Sequence, residues 1–334
     1  MSNNQWTFID TNGTFRIVNP EAINELYFPL CNTSGFMASV TPTLHGDIKQ
    51  DHHHFVLPPV SVNDLHNSKA SRQFWFYVDE FGPWSATGNS ASAHLQRFQD
   101  IKPTRTIEAG LLWHKMIYDD PTAGLQSEIL SFVPMEDDQV ELMVVTVTNQ
   151  SSKSLSLTPT SGIPLYGRSA DNQRDHRHVT SLLNRMVKYP EGITLQPVIR
   201  FDETGHKWNP IRYFVLGATG NGDYPLGAIA NQDAFVGDQG DLEWPEAIVK
   251  NLPIGHYANE VLEGRECVGA LRFETVTLAP GEQSSYIIMI GMGHDTTALT
   301  TVYSKYNTLA KVASHLEKTK TYWLTQANIA TFTS

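Results

Sequence analysis

The stretch Val140 to Thr148, VELMVVTVT, constrains the fold more than any other part of this sequence. Its β-branched residues suit a pleated strand, and from Val144 to Val147 both faces of that strand are apolar. A strand of that kind has to be covered on both sides. Short apolar runs separated by Gly, Pro, Asn and Asp clusters recur up to about residue 295 and predict a large β-sandwich. Two turns are expected inside it. Asn149-Gln150-Ser151-Ser152 leads the first strand into Leu155–Leu157 as a hairpin, and Ala279-Pro280-Gly281-Glu282 leads Leu271–Leu278 into Tyr286–Ile290. In the second turn Pro presets φ and Gly accepts a positive φ, which is what a type II turn requires.

The period then changes. Val302, Tyr306, Leu309, Ala313, Leu316 and Trp323 fall at helical steps, with Lys305, Lys311, Glu317 and Lys318 between them. This predicts one amphipathic helix whose apolar stripe has no second helix to receive it. It packs back on the sandwich or serves a further domain.

Composition excludes several functions. A net charge of −11 argues against general nucleic-acid binding, which needs clustered Lys and Arg. Two cysteines, Cys31 and Cys267, give no disulfide framework and fit a reducing compartment. The start, MSNNQWTFIDTNGTF, has no basic region followed by an apolar one, as a secretory signal would. The most apolar run, Tyr286 to Met292, is too short to cross a bilayer. The expectation is a cytoplasmic protein without membrane or nucleic-acid partners.

Several clusters could carry chemistry. His52 and His54 would share a face if Asp51–His54 were a strand, but two imidazoles do not complete a metal site, and a polar loop explains them better. Gly217, Gly220, Gly222 and Gly227 lack the strand and helix of a dinucleotide fingerprint, since Asp223-Tyr224-Pro225 interrupts any helix; they read as turn glycines. Glu136-Asp137-Asp138 and Asp202-Glu203 could be acid/base pairs, though acids between strands usually cap exposed turns. Phe74 to Gly88, FWFYVDEFGPWSATG, could offer a sugar-stacking platform, but alternating Phe74, Phe76 and Val78 suit a core.

The densest polar stretch is Ser169 to Met186, SADNQRDHRHVTSLLNRM. Arg174, Arg177 and Arg185 supply fork donors, Asp175 accepts, and His176 and His178 do either. Such a set suits vicinal hydroxyls, phosphate or structural carboxylates. Pro164-Leu165-Tyr166-Gly167-Arg168 before it reads as a strand ending in a long excursion. A binding loop and a solvated or partner-facing loop with internal ion pairs are served equally by this chemistry.

Taken in order, Phe74–Gly88, Glu108–Tyr118, Ser127–Asn149, Ile163–Leu183 and Leu271–Gly291 resemble the N-terminal part of the inverting disaccharide phosphorylases of glycoside hydrolase family 94. That family includes cellobiose, chitobiose and laminaribiose phosphorylases. The resemblance implies a mainly β fold: a large antiparallel, galactose mutarotase-like super-sandwich over residues 1–297. A linker helix over 298–334 would then lead to an (α/α)6 barrel. It places the catalytic aspartate and the phosphate-binding groups in that barrel, so that no catalytic residue lies in this chain. It implies a homodimer, a β-glucoside disaccharide or short oligosaccharide as substrate, inorganic phosphate as co-substrate, and neither cofactor nor metal. The loop carrying Arg168, Asn172, Arg174, Asp175, His176, Arg177 and His178 would face the acceptor sugar near the dimer interface, and its form is closer to the laminaribiose-type branch.

Overall fold

The doubly apolar strand lies where its pattern requires. In the computed structural model, which describes residues 6–23, 26–61, 68–174, 177–202, 205–254 and 261–329, Val140–Asn149 runs through the middle of an 11-stranded antiparallel sheet. Leu125–Phe132 pairs with one side of it and Gln283–Gly293 with the other. Beyond these the sheet continues through Trp113–Asp120 and Thr104–Gly110 in one direction, and through Arg212–Thr219 and Gly192–Pro197 in the other. A six-stranded sheet faces it, in which Leu155–Leu165 lies between Cys267–Arg272 and Gln73–Val78.

Side-chain alternation divides the interior into layers. Met143, Val145 and Val147 point into the main core with Phe74, Phe76, Ile163 and Leu271 of the facing sheet. Leu142 and Val144 point the other way, against Leu299, Val302, Tyr306 and Val312 of the C-terminal helices. The outer face of the smaller sheet is covered in turn, since Trp75, Val268 and Ala270 pack on Phe235, Leu242 and Ile248. A four-stranded sheet, Phe28–Cys31 to His54–Phe55, closes one end with Leu30, Val40 and Ile48 in the main core.

Both expected turns form, but neither joins a simple hairpin. Val140–Asn149 belongs to the large sheet and Leu155–Leu165 to the small one, so Asn149–Ser152 is a corner between sheets. Buried Asn149 builds it: its amide donates to the carbonyls of Lys153 and Leu278, and its Oδ1 accepts from Ser151. The Pro280-Gly281 turn has the predicted form, with Gly281 at φ +79 and Glu282 N–H bonded to the Ala279 carbonyl. It too crosses between sheets. The two corners are bonded to each other, Gly281 N–H to the Asn149 carbonyl and Asn149 N–H to the Glu282 carbonyl. The hairpin expectation failed because a run covered on both faces does not reveal which neighbour its successor pairs with.

The C-terminal helix is two helices, Thr296–Tyr306 and Leu309–Ala327. Asp295 caps the first and Thr308 the second, each accepting a backbone N–H with its side chain. The stripe is received by the outer face of the large sheet. The break turns Leu309 and Ala313 outward and brings Val312 in.

Where three sheets meet, Arg72 and Glu141 form a fully buried ion pair. Arg72 Nε and Nη2 lie 2.6 and 2.8 Å from the two Glu141 oxygens, and Nη1 donates to the Gly46 carbonyl. His114 sits deep in the same sandwich, and neither ring nitrogen has a partner among the described residues. Burial foremost, then repulsion from Arg72 and Arg105, pushes its pKa down to about 3.

Glu141→Leu should destabilise the protein by about 3–5 kcal/mol in urea titrations, because Arg72 is left charged and unpaired. The double variant Arg72→Met/Glu141→Leu should recover most of that loss. His114 is neutral when folded and titrates normally when unfolded, so the unfolded chain takes up the extra proton as pH falls below 6.5. Its contribution to stability is complete above that pH and declines by ~1.4 kcal/mol per pH unit towards pH 3. His114→Leu should therefore lose about 2 kcal/mol less than the wild type between pH 6.5 and 5. An identical decline in both proteins would remove His114 as the cause.

Candidate functional site

The polar excursion after Leu155–Leu165 is organised around Tyr166. Its hydroxyl donates to the Ser169 carbonyl at 3.0 Å, and burial raises its pKa, which keeps it a donor. The guanidinium groups of Arg168 and Arg177 lie over its ring at 4.5 and 5.4 Å. Both arginines converge on Glu266, Arg168 Nη2 at 2.6 Å from Oε2 and Arg177 Nε at 3.4 Å from Oε1. Arg168 spends its other donors on the Tyr166 carbonyl, the Arg177 carbonyl and Thr180 Oγ1. Arg177 also donates to Gln173 Oε1 at 2.8 Å. This cross-bracing fixes two short helical turns, Asp171–Arg174 and Arg177–Thr180.

The seven residues singled out in the sequence have different fates. Arg168 is 4% exposed and fully committed inside the protein. Asn172 is buried and accepts from Ser169 Oγ at 3.1 Å. Arg177 is half-buried between Glu266 and Gln173, and His178 is exposed beside it. Arg174 ends the first helical turn by its backbone; its side chain, and all of Asp175 and His176, lie outside the described residues. Arg185 is turned away, paired with Glu263 at 3.0 Å. An open cavity of 490 Å³ borders the loop, with Arg177, His178, Ser181, Leu182, Arg265 and Glu266 on its walls. Leu182 and Val179 nearby are exposed.

The other clusters resolve differently. Asp51 ends one strand and His54 begins the next, so His52 and His54 share no strand face. His54 Nδ1 lies 2.7 Å from Asp51 Oδ1, and His52 approaches Asp171 at 3.4 Å, so the histidine turn abuts the polar loop. Among the described residues no three His, Cys, Asp or Glu side chains converge as metal ligands would. Glu136 and Asp138 are not turn caps. Asp138 accepts from Lys305 Nζ at 2.5 Å and Tyr306 Oη at 2.6 Å, and Glu136 pairs with His315 at 2.8 Å, fastening both C-terminal helices. Glu203 lies outside the described residues. Gly222 is a turn glycine at φ +100, but Gly217 and Gly227 are in strands. Trp75 and Trp84 are buried, at 0% and 3% exposure, which removes them as a sugar platform.

Sequence reasoning missed Glu266 and Glu141. Glu141 did leave a signal, a charge inside an otherwise apolar strand. Glu266 left none, because its partner is 98 positions away.

No helix among the described residues is long and apolar enough to cross a membrane. The family described as "Glycosyl hydrolase 94, supersandwich domain" matches residues 83–309. No curated protein matches the sequence. Among solved structures, a bacterial glucoamylase complexed with acarbose is similar at 9% identity and a TM-score of 0.46. The match covers 97% of this chain, which spans only 37% of that enzyme. A galactose mutarotase-like protein from Clostridium acetobutylicum is similar at 9% identity and a TM-score of 0.43, over 87% of this chain and 98% of that one. An α-galactosidase from Geobacillus stearothermophilus gives 8% identity and a TM-score of 0.36, over 87% and 41%.

The brace makes a direct prediction. Glu266→Ala should lower stability by about 1.5–3 kcal/mol, the range for a charge-assisted hydrogen bond. Hydrogen exchange should report the change first in the backbone of residues 177–183. Unchanged protection there would mean that Glu266 does not hold the loop.

Proposed function

The chain belongs to the glycosyl hydrolase 94 supersandwich family, and from that premise we propose that it is the N-terminal domain of an inverting glycoside phosphorylase. The complete enzyme would cleave a β-glucosyl disaccharide or short oligosaccharide, of laminaribiose or cellobiose type, with inorganic phosphate to give α-glucose 1-phosphate. Phosphate attacks the anomeric carbon from the face opposite the leaving group, and a carboxylic acid protonates the leaving oxygen. No carboxylate base is required, because phosphate is already anionic. The carboxylic acid and the groups that bind phosphate would be supplied by a helical barrel outside this chain, as part of a cytoplasmic homodimer.

The role proposed for this domain is to shape the acceptor-sugar side of the site and the dimer interface. The observation that carries it is the arginine brace: Arg168 and Arg177 clamp one carboxylate and one tyrosine ring, which ties the described residues on both sides of the loop to the sandwich. Side chains braced in this way beside an open cavity can orient a sugar at a smaller ordering cost. Within that division of labour Arg168 and Asn172 are positioning residues. Arg177 and His178 face the cavity, and Arg174, Asp175 and His176 complete the proposed set.

The assay is phosphate-dependent release of glucose 1-phosphate from β-1,2-, β-1,3- and β-1,4-linked glucose disaccharides by an enzyme carrying this domain. Turnover of none of them overturns the phosphorylase reading. In the synthetic direction His178→Ala should raise the acceptor KM by about tenfold and leave the KM for glucose 1-phosphate unchanged. Equal effects on both, or on neither, would remove the acceptor role.

A further inference from the structure

The sequence holds two Asn-Gly pairs, Asn12-Gly13 and Asn221-Gly222, and neither takes part in the polar loop. An asparagine before glycine carries latent chemistry, because no Cβ keeps the glycine nitrogen away from the asparagine side-chain carbonyl carbon. Whether that chemistry runs depends on what the fold does with the nitrogen, and the two pairs are held differently.

Asn221-Gly222 is locked. Gly222 N–H donates to the Thr219 carbonyl at 3.0 Å, and the Gly222 carbonyl accepts from Tyr303 Oη at 3.1 Å. The next N–H, of Asp223, donates to Thr219 Oγ1 at 3.1 Å. The nitrogen that would have to attack is engaged in a hydrogen bond, and the turn around it is fixed on both sides.

Asn12-Gly13 is open. It lies in the turn between Trp6–Phe8 and Phe15–Val18, the pair of strands at one edge of the large sheet. Asp10 Oδ1 accepts from the N–H groups of Asn12 and Thr14, at 2.8 and 3.0 Å, and passes over Gly13. Among the described residues Gly13 N–H has no acceptor and the Asn12 side chain makes no hydrogen bond. Both residues are exposed, and nothing lies within 4 Å of where a Gly13 side chain would start. Asn12 also lines an open cavity of 290 Å³ with Asp10 and Lys320, so solvent reaches it.

We propose that Asn12 is a self-modification site, which converts to aspartate and isoaspartate through a succinimide formed with Gly13. The Gly13 nitrogen bonds to Asn12 Cγ, the bond from Cγ to the side-chain nitrogen breaks, and ammonia leaves with the proton released from Gly13. Water then adds to the ring. Opening at Cγ gives aspartate, and opening at the Asn12 main-chain carbonyl gives isoaspartate, whose backbone runs through Cβ and Cγ. The isoaspartate turn is longer by one carbon. It no longer matches the reach of Asp10 to Thr14 N–H, or of Ile9 N–H to the Thr14 carbonyl at 2.9 Å, so the edge hairpin loosens. None of this depends on the phosphorylase reading.

The test ages the whole chain at mildly alkaline pH, folded and in parallel in urea, and follows both asparagines by peptide mass spectrometry. In the folded chain Asn12 should exchange NH2 for OH about tenfold faster than Asn221, because a hydrogen bond withholds the second nitrogen. In urea the two rates should converge. Hydrogen exchange at residues 15–18 should quicken by about tenfold in the aged chain. It should keep its starting rate in Asn12→Asp, which carries the charge without the longer backbone. Equal rates at both asparagines in the folded chain overturn the proposal. So does a difference that survives in urea, where sequence alone would account for it. Faster exchange in Asn12→Asp overturns the loosening step, by assigning it to charge.

Discussion

The Arg72–Glu141 pair is the contact on which the rest of the architecture depends. Glu141 belongs to the central strand of the large sheet, Arg72 leads into a strand of the smaller one, and the carbonyl of Gly46 ties the pair to the end sheet. Neither side chain reaches solvent. Taking two charges out of water is expensive, and here the bidentate geometry and the carbonyl acceptor offset that expense. An apolar pair at this point would carry no such directional constraint. The fork of Arg72 fits one arrangement. The positive field that accompanies it, joined by that of Arg105, helps keep His114 neutral at the heart of the sandwich.

How much of this was legible in the sequence follows from the range of the interactions. Residues 144–147 declare a strand covered on both faces because the requirement is local, and the structure covers them with a sheet on one side and helices on the other. The Pro280-Gly281 turn is equally local and keeps its predicted form. Which strand comes next in a sheet is a long-range matter, and the hairpin expected after Asn149 became a corner. The broken C-terminal helix lies between the two cases. Its stripe was visible, but the cap at Thr308 interrupts it, and a periodic count passes over a single capping threonine.

The polar loop shows the same division. Its charge density was plain, and its two alternatives were evenly matched on chemistry. The structure assigns Arg168 to internal bracing and leaves Arg177 and His178 at a cavity edge. What separates the two roles is Glu266, a residue remote in sequence that draws the arginines inward. Glu136 and Asp138 illustrate the converse. Adjacent acids that resembled a catalytic pair or turn caps instead anchor helices through Tyr306, Lys305 and His315.

The two bonded corners have a consequence for how the chain is made. Val140–Asn149 cannot gain its second neighbour until Gln283–Gly293 exists, and Thr146 and Ser285, bonded across that seam, are 139 positions apart. At a synthesis rate of ~5–20 residues per second, the gap lasts on the order of ten seconds. During it a long, apolar strand presents an open edge, the surface most prone to pair with another chain. The sandwich therefore stays half-zipped while this stretch is synthesised, and the strand that closes it is the last one made among the described residues.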